Sequence, residues 1–292
     1  MNPDVERKID DIKRDREHGA GWLSREAMAT IKLAVEKSGA TNTHDFLKDL
    51  EATAQRLIEA RASMAAITNL VARFIYHLFE KSEENLDLLR GFACSIGDKL
   101  IRDSEEAALN AASLASGIIA DGDRVMSCSY SSTVCQVFRM AKDKGKRFHV
   151  VVAESRTTEG RVYGEITARE LVSLGISAEV IPDSLIASNM TRMVKVMVGA
   201  DTILRDSSLI NGTPTSKLAL AAKKANIPFY TVCETSKLDF WCRPVREAQL
   251  EEGFDMVSPD LITGVITEAG ILRPDELIKY MEEWTRSIYS HQ

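Results

Sequence analysis

Apolar residues recur at three- and four-residue spacing through most of the first 120 residues, which is the period of an amphipathic helix. The pattern is clearest over residues 46–82 and again over 88–119, where alanine and leucine dominate and acidic residues occupy the opposite face. Within the second stretch, Asp103 and Ser104 are of the residue types that cap a helix. The pattern predicts a helical N-terminal domain over residues 1–120.

The pattern changes at Asp121-Gly122-Asp123, where a turn begins and short apolar runs start to alternate with helical segments. Predicted strands cover residues 125–128, 148–153, 179–181, 194–198, 229–232 and 261–267. Predicted helices cover residues 133–144, 167–174 and 216–225. Unbroken apolar strands between helices are typical of a parallel sheet that is covered on both faces. We therefore predict an α/β fold, with a doubly wound parallel sheet over residues 121–292.

Polar residues follow four of the predicted strands at the point where each strand ends. These segments are 129–132, which includes Ser131, and 154–156, 199–201 and 233–237. In doubly wound sheets, ligands bind outside the carboxyl ends of the strands. Serines, glycines, an arginine, a lysine and an aspartate would meet there. This set suits a small anionic ligand, most simply a phosphate.

Composition narrows the function without identifying it. The chain has 292 residues, of which 45% are hydrophobic, and this length favours two packed domains. The formal net charge of -6 argues against direct nucleic-acid binding, because proteins that wrap nucleic acid carry a basic face. The charged N-terminal segment lacks the apolar core of a signal peptide, and no apolar run approaches the roughly 20 residues that span a bilayer. We expect a soluble protein without a membrane partner.

The cysteines and histidines do not form a recognisable metal or disulfide pattern. Five cysteines are an odd number and contain no CxxC pair, which argues against both a disulfide framework and a structural zinc site. The histidines are scattered without the spacing of metal ligands. We therefore expect a cytoplasmic protein that uses neither a metal nor a cofactor.

Six segments, in the same order along the chain, carry a resemblance to a known family. They are GAGWLSREA (19–27), VVVAESRTTEGR (150–161), ITARELVSLGISAEVIPDS (166–184), VMVGADTIL (196–204), LALAAKKANIPFYTVCETSKL (218–238) and FDMVSPDLITGVITEAGILRP (254–274). Together they resemble the initiation factor 2B α/β/δ family, which includes 5-methylthioribose-1-phosphate isomerase and ribose-1,5-bisphosphate isomerase. The resemblance implies a helical domain followed by a Rossmann-like domain, and assembly into a homodimer or a higher homo-oligomer.

The resemblance also implies roles for particular residues. In the family's isomerases, a cysteine at the end of the first Rossmann strand and the aspartate of a GAD motif transfer protons, and Asp201 matches that aspartate. Other positions match family residues that help to bind the phosphate and the sugar. These are Gly19, Ala20 and Gly21 in a glycine-rich turn, Arg61, Arg156, Asn211 and Lys237.

Three positions depart from the isomerase pattern. The catalytic cysteine position falls on Ser129, with Cys128 one place earlier. The family's Asn-Lys pair becomes Asn211-Gly212, and the arginine before the glycine-rich turn becomes His18. A serine hydroxyl is a much weaker acid than a thiol and needs an activating partner, which the sequence does not identify. These losses resemble the regulatory subunits of the translation factor more than the enzymes.

Each candidate residue also has a simpler interpretation. Cys128 also fits a small apolar residue that is buried at the end of a strand, and we favour this interpretation. Asp201 is of the type that caps a turn after a strand. Arg156 and Lys237 fit solvated charges at the rim, and Arg61 fits an ordinary exposed arginine on a helix.

Two functions remain open from the sequence. The first is a regulatory protein that binds a sugar phosphate or a nucleotide in the cleft between the domains, with a translation factor as a possible partner. The alternative is an aldose–ketose isomerase of a phosphorylated pentose, with Asp201 as base and Cys128 or Ser129 as acid. The intact GAD motif favours the enzyme, and the lost cysteine favours the regulatory protein.

Overall fold

The computed structural model describes residues 1–240, 250 and 252–289. The chain divides into two compact units, Met1–Glu106 and Ala107–Gln292, which are called unit 1 and unit 2 below. The domain boundary predicted from the sequence lies at residue 120, where helices give way to strands. The structural division falls earlier, inside a helix that runs from Leu86 to Gly117.

Unit 1 is helical, as the apolar spacing predicts. Its helices are α1 (Pro3–Arg14), α2 (Ala20–Lys37), α3 (Thr43–Ala60), α4 (Ala65–Phe79) and the first part of α5 (Leu86–Gly117). Asparagine side chains begin two of them: Asn2 accepts from the Asp4 N–H at 2.9 Å, and Asn42 accepts from the Asp45 N–H at 2.9 Å. The apolar faces meet in a core that includes Phe46 and other fully buried side chains: Leu23, Met28, Ile31 and Phe74.

The prediction of a helix cap at Asp103 or Ser104 is wrong, because α5 continues unbroken through both residues. Asp103 instead pairs with Lys99 one turn earlier, with Nζ and Oδ2 2.6 Å apart. Ser104 is buried, and its hydroxyl accepts a long hydrogen bond of 3.4 Å from Arg25. Inside α5, Asp103 thus uses its side chain in a pair within the helix, and Ser104 uses its side chain in a contact with α2.

Unit 2 is built around a seven-stranded sheet and a small second sheet. Its strands are β1 (Arg124–Cys128), β2 (His149–Ala153), β3 (Ser177–Ile181), β4 (Lys195–Val198), β5 (Thr202–Ile203), β6 (Leu209–Gly212), β7 (Phe229–Val232), β8 (Phe254–Val257), β9 (Gly264–Thr267) and β10 (Gly270–Leu272). Its helices are the end of α5, then α6 (Ser132–Asp143), α7 (Tyr163–Ser173), α8 (Ile186–Met190), α9 (Thr215–Ala225) and α10 (Pro274–Tyr289).

The large sheet confirms the predicted α/β class. Its strands lie in the order β10-β9-β7-β4-β1-β2-β3, and every neighbouring pair is parallel except β10 with β9. Successive residues of β1 pack into two different core clusters: Val125 lies with Phe138 of α6, and Met126 lies with Leu218 of α9. Both faces of the sheet are therefore covered, which explains why its strands are continuously apolar.

The small sheet, with the antiparallel order β5-β6-β8, was not predicted. Its strands contain only two to four residues. β5 and β6 lie close together in the chain, whereas β6 pairs with the distant β8, for example Asn211 with Asp255. The predicted strand over 261–267 is also shorter than expected, because Pro259–Leu261 forms a 3-10 turn and β9 begins only at Gly264.

The sheet order places a topological switch point between β1 and β4. From β1 the chain adds β2 and β3 on one side, and then crosses to β4 on the other side. The helical connections that leave β1 and β4 therefore diverge, which opens a crevice at the carboxyl ends of these strands. None of the helices within the described residues is long and apolar enough to cross a membrane.

Candidate functional site

The crevice beyond β1 and β4 brings Ser131 and Gly199 into close contact. Ser131 is the N-cap of α6, and its hydroxyl accepts from the Val134 N–H at 3.4 Å. A Cβ built on Gly199 would lie only 2.6 Å from the Ser131 hydroxyl oxygen. Glycine is therefore required after β4, since any side chain there would push against the start of α6.

Two serines at the ends of β1 and β2 hold each other in an unusual backbone conformation. Ser129 and Ser155 both have positive φ, at 58° and 50°. The Ser129 N–H donates a 2.7 Å hydrogen bond to the Ser155 hydroxyl. Asp183 accepts from the Ser155 N–H at 3.0 Å, and the Thr167 hydroxyl donates to the Ser129 carbonyl at 2.6 Å. Non-glycine residues at positive φ that neighbours hold in place are concentrated at functional sites.

The Ser129 side chain lies beside Gly212. A Cβ on Gly212 would lie 3.4 Å from the Ser129 hydroxyl oxygen, so the two positions that depart from the isomerase pattern are neighbours in space. Ser129 is partly exposed, and no described residue forms a hydrogen bond with its hydroxyl. The structure thus supplies no activating base for this serine within the part of the chain that it describes.

Cys128 points into the core rather than into the crevice. It is 3% exposed and packs in the same apolar cluster as Met126 and Leu218. Its Sγ lies 3.4 Å from the Thr215 hydroxyl. Burial is the main reason that the pKa of this thiol is raised from 9.0 to about 12, although the contact with Thr215 lowers it. This environment agrees with the interpretation of Cys128 as a small buried apolar residue.

Asn211 is buried and joins the same chain of contacts. Its side-chain amide donates to the Thr215 hydroxyl at 2.9 Å, and that hydroxyl donates to the Gly212 carbonyl at 2.6 Å. Thr215 begins α9 and connects β1 with β6 through these bonds. In this structure the Asn211 amide therefore serves the packing of the small sheet against α9.

Asp201 lies between the large and the small sheet. It follows β4 and precedes β5, and its N–H donates to the Ile210 carbonyl of β6 at 3.0 Å. Its residue is partly exposed. The neighbouring Ile203 pairs with Leu238, which follows directly after Lys237. The structure thus brings the segments of Asp201 and Lys237 together, as the alignment of the strand ends predicts.

The two predicted cations of the rim differ in burial. Arg156 is exposed, and its guanidinium binds the Glu154 carboxylate through bonds of 3.2 and 2.9 Å. Lys237 is only 4% exposed and lies 3.7 Å from Glu234, which is 1% exposed. Arg156 therefore fits the interpretation as a solvated charge at the rim, and Lys237 does not.

The 3-10 turn that carries Lys237 is anchored by Glu268, which follows β9. Glu268 accepts hydrogen bonds from the backbone N–H of Thr235, at 3.2 and 2.9 Å, and from the Thr235 hydroxyl. The Lys237 N–H donates to the Glu234 carbonyl at 3.0 Å and closes the turn. The backbone of the turn that carries Lys237 is thereby held from two sides.

The predicted residues of unit 1 have defined local roles. Gly19 is the N-cap of α2, so Ala20 and Gly21 lie in its first helical turn rather than in a glycine-rich turn that precedes it. Arg61 follows α3 as its C-cap and is 4% exposed, so it is not an ordinary exposed arginine. Its Nη1 donates to the Asp15 carbonyl at 2.8 Å. Their participation in a ligand site stays a prediction.

His18, where the family's isomerases have an arginine, is held by its own neighbours. Its Nδ1 lies 2.8 Å from the Asp15 carboxylate, and its ring stacks on Trp22 with 3.7 Å between the centroids. The pKa of Asp15 is lowered overall: burial raises it, and the hydrogen bonds from His18 and Glu17 outweigh that effect. The Asp15 carboxylate and the Trp22 ring thus hold the His18 imidazole in place.

Two acidic residues with structural contacts in unit 2, Asp255 and Glu234, were not among the predicted site residues. Asp255 of β8 accepts from the Ser216 N–H at 2.9 Å, from the Ser216 hydroxyl at 2.8 Å and from the Thr213 hydroxyl at 2.9 Å, so it caps α9 from a distant strand. Glu234 was visible only as part of a polar strand end.

Among the described residues, no group of three or more His, Cys, Asp or Glu side chains is placed to hold a metal ion.

Comparisons with known proteins agree with this fold over nearly the full length of the chain. Residues 16–253 match the model of the initiation factor 2 subunit family. A Pyrococcus abyssi protein described as translation initiation factor eIF-2B subunit 2-like is 32% identical, over 91% of this chain and 95% of that protein. Ribose 1,5-bisphosphate isomerase of Thermococcus kodakarensis is 29% identical, over 93% of this chain and 92% of the enzyme.

Comparison with a solved structure also shows similarity over nearly the whole chain. The crystal structure of the Pyrococcus horikoshii translation initiation factor eIF-2B is similar with a TM-score of 0.82 and 28% identity, and covers 95% of this chain and 100% of that one. The resemblance that the sequence motifs carry is thereby confirmed. With its helical first half and its Rossmann-type order of strands, this chain belongs to the initiation factor 2 subunit family.

Proposed function

We propose that this chain is a regulatory protein that binds a phosphorylated sugar or a nucleotide at the carboxyl ends of β1, β4 and β7, and does not isomerise it. One observation carries the proposal. At the position of the isomerase cysteine, Ser129 has no described activating partner, and the nearest thiol, on Cys128, is buried with its pKa raised to about 12. Neither group is suited to donate a proton near neutral pH.

The arrangement of polar groups supports binding. Ser129 and Ser131 border the crevice at the switch point, and Asp201 lies at the end of the next strand. Lys237, on the segment that pairs with β5, lies buried within 3.7 Å of Glu234 and adds a cation to the same edge of the sheet. Hydroxyls, a carboxylate and a cation thus meet at one edge of the sheet, which suits a ligand that carries both a phosphate and hydroxyl groups.

The wider setting belongs to the same proposal. By analogy with the family, the protein acts in the cytoplasm as a homodimer or a higher homo-oligomer, with a translation factor as partner. Light scattering coupled to gel filtration measures the oligomeric state directly. A strictly monomeric protein at micromolar concentration would contradict it.

The second candidate function is a pentose-phosphate isomerase. It is favoured by the ribose 1,5-bisphosphate isomerase that matches over 93% of this chain, and by Asp201, which stands where those enzymes have their GAD aspartate. In this candidate Asp201 is the base, and the proton donor is the Ser129 hydroxyl or the Cys128 thiol, of which the thiol is buried in the core.

The deciding experiment measures binding and turnover on the same samples. Calorimetry with ribose 1,5-bisphosphate, 5-methylthioribose 1-phosphate and adenosine monophosphate is paired with detection of the ketose product. Saturable binding without turnover supports the regulatory protein, and Lys237→Met then weakens binding while the exposed control Lys224→Met does not. Turnover that Asp201→Asn abolishes, with binding retained, identifies the isomerase. Absence of binding to all three compounds contradicts both.

A further inference from the structure

The hydrogen bonds that join β1, β2 and β3 continue for one step beyond the paired rows of the sheet. The last paired row runs from Cys128 of β1, through β2, to Ile181 of β3. Beyond it, the Ser129 N–H donates to the Ser155 hydroxyl at 2.7 Å, and the Ser155 N–H donates to the Asp183 carboxylate at 3.0 Å. Side-chain oxygens thus accept the hydrogen bonds that backbone carbonyls accept within the sheet.

The position of the Ser155 hydroxyl depends on Asp183. Ser155 is 3% exposed and has a φ of 50°, which a residue with a side chain adopts only when its surroundings hold it there. The Asp183 carboxylate holds the Ser155 N–H in this conformation. The Ser155 hydroxyl donates to the Ala153 carbonyl at 3.3 Å, so its lone pairs remain for the Ser129 N–H. Loss of the Asp183 carboxylate would therefore release the acceptor of the Ser129 N–H.

The backbone of Ser129 is held on both sides of its Cα atom. Its N–H donates to Ser155, and its carbonyl accepts from the Thr167 hydroxyl at 2.6 Å. The Ser129 hydroxyl, which no described residue binds, lies beside Gly212. It is therefore held in one direction while it remains free to bind a ligand. A binding side chain is most effective when hydrogen bonds behind it fix its position.

We propose that Asp183 is a positioning residue for ligand binding, which acts through Ser155 to direct the Ser129 hydroxyl at the ligand. The three residues are called the strand-end relay below. The inference rests on the proposed function and adds to it a residue that lies two strands away from β1. Its sign can be tested, because the proposed ligand is an anion. Removal of a negative charge would by itself strengthen binding, whereas loss of the relay weakens it.

Calorimetry with ribose 1,5-bisphosphate, on variants that circular dichroism shows to be folded, tests this sign. Asp183→Ala should weaken binding about 3- to 30-fold, as expected for the loss of one hydrogen bond that orients a ligand group. Asp183→Asn removes the charge but keeps an oxygen acceptor, and should retain most of the affinity. Asp49→Ala, on the exposed face of α3, is the control for loss of a carboxylate and should leave the affinity unchanged. Unchanged or tighter binding by Asp183→Ala overturns the inference.

A double-mutant cycle in affinity tests whether Asp183 acts through Ser155. Ser155→Ala removes the acceptor of the Ser129 N–H and should weaken binding to a similar extent. In that variant, Asp183→Ala should have little further effect, whereas residues that act independently give losses that multiply. Multiplied losses would assign Asp183 a separate role and overturn the relay.

Hydrogen exchange of the Ser129 N–H distinguishes failure of the relay from failure of the proposed function, because it needs no ligand. By NMR of protein with isotope-labelled serine, Asp183→Ala should accelerate this exchange about 10-fold or more, and Asp183→Asn should not. Unchanged exchange in Asp183→Ala overturns the inference even if the ligand binds. Accelerated exchange in a protein that binds neither ribose 1,5-bisphosphate nor adenosine monophosphate contradicts the proposed function, and with it the role of Asp183 in binding.

Discussion

The backbone N–H of Ser129 donates to the hydroxyl of Ser155 at 2.7 Å, and both residues have positive φ. This bond joins the ends of β1 and β2 at the edge where the ligand is proposed to bind. Each serine adopts a conformation that costs about 1–2 kcal/mol for a residue with a side chain. The conformation persists because hydrogen bonds from Thr167 and to Asp183 hold the two strand ends.

Two substitutions of Ser155 distinguish the contribution of its hydrogen bond to stability from the cost of its backbone strain. Ser155→Ala removes the acceptor and keeps the strained backbone, so we expect a loss of about 1–3 kcal/mol in the free energy of unfolding. Ser155→Gly also removes the acceptor but relieves the strain, and should be about 1 kcal/mol more stable than the alanine variant. Urea unfolding measures both. Equal stabilities would show that positive φ is not costly at this position.

The contact between Gly199 and Ser131 predicts a pair of compensating substitutions. Gly199→Ala places a methyl group 2.6 Å from the Ser131 hydroxyl oxygen and 2.9 Å from its Cβ, so we expect destabilisation of about 1–3 kcal/mol. Ser131→Gly removes both atoms and, at an N-cap, costs only a few tenths of a kcal/mol by itself. The double variant should therefore recover most of the lost stability.

A double-mutant cycle measures this compensation as a coupling between the two sites. The control is Gly91→Ala in the exposed interior of α5, where a Cβ meets nothing within 4 Å. That change should stabilise the protein by up to about 1 kcal/mol, because alanine is the better helix former. Strictly additive effects of Gly199→Ala and Ser131→Gly would rule out the close contact.

The buried thiols should resist alkylation in the folded protein. Burial raises the pKa of Cys128 to about 12 and is also the main cause of raised pKa values for Cys135 and Cys233. At pH 8 we expect iodoacetamide to modify these three at least 100-fold more slowly than the partly exposed Cys94, with rates equalised in guanidinium. Peptide mass spectrometry gives the rate for each cysteine. Rapid labelling of Cys128 in the folded state would instead make it a candidate acid.

The carboxylate of Glu179 should make a small pH-dependent contribution to stability. A hydrogen bond with His149, followed by the interaction with Arg124, lowers its pKa below the ordinary value near 4.3. A lowered folded-state pKa stabilises the protein above about pH 4.3, and this contribution disappears as the pH falls through the folded-state value. The side chain is 48% exposed, so the effect should be about 0.5 kcal/mol or less.

Glu179→Gln tests this pH dependence. The difference in the free energy of unfolding between wild type and variant should be present at pH 6 and vanish near pH 3. Urea unfolding at both pH values gives the two differences. A difference of the same size at both would show that the carboxylate charge is not its source.

Much of the candidate site was visible from the sequence because parallel strands end at one edge of their sheet. Predicting β1, β4 and β7 from apolar runs was enough to bring the segments after them together, including Ser129, Asp201 and Lys237. The exposure of these side chains was not predictable. Arg156 and Lys237 follow strands in the same way, yet one is exposed and the other is buried against Glu234.

The helical first half, the alternating second half and the family were all predictable from the sequence. These follow from residue periodicity and from contiguous motifs, which are local properties of the chain. Three features became apparent only in the folded chain: the pairing of β6 with β8, the bond between Ser129 and Ser155, and the inward direction of Cys128. Each depends on contacts between residues that are more than 25 positions apart in the chain, and no local pattern of apolar and polar residues specifies such contacts.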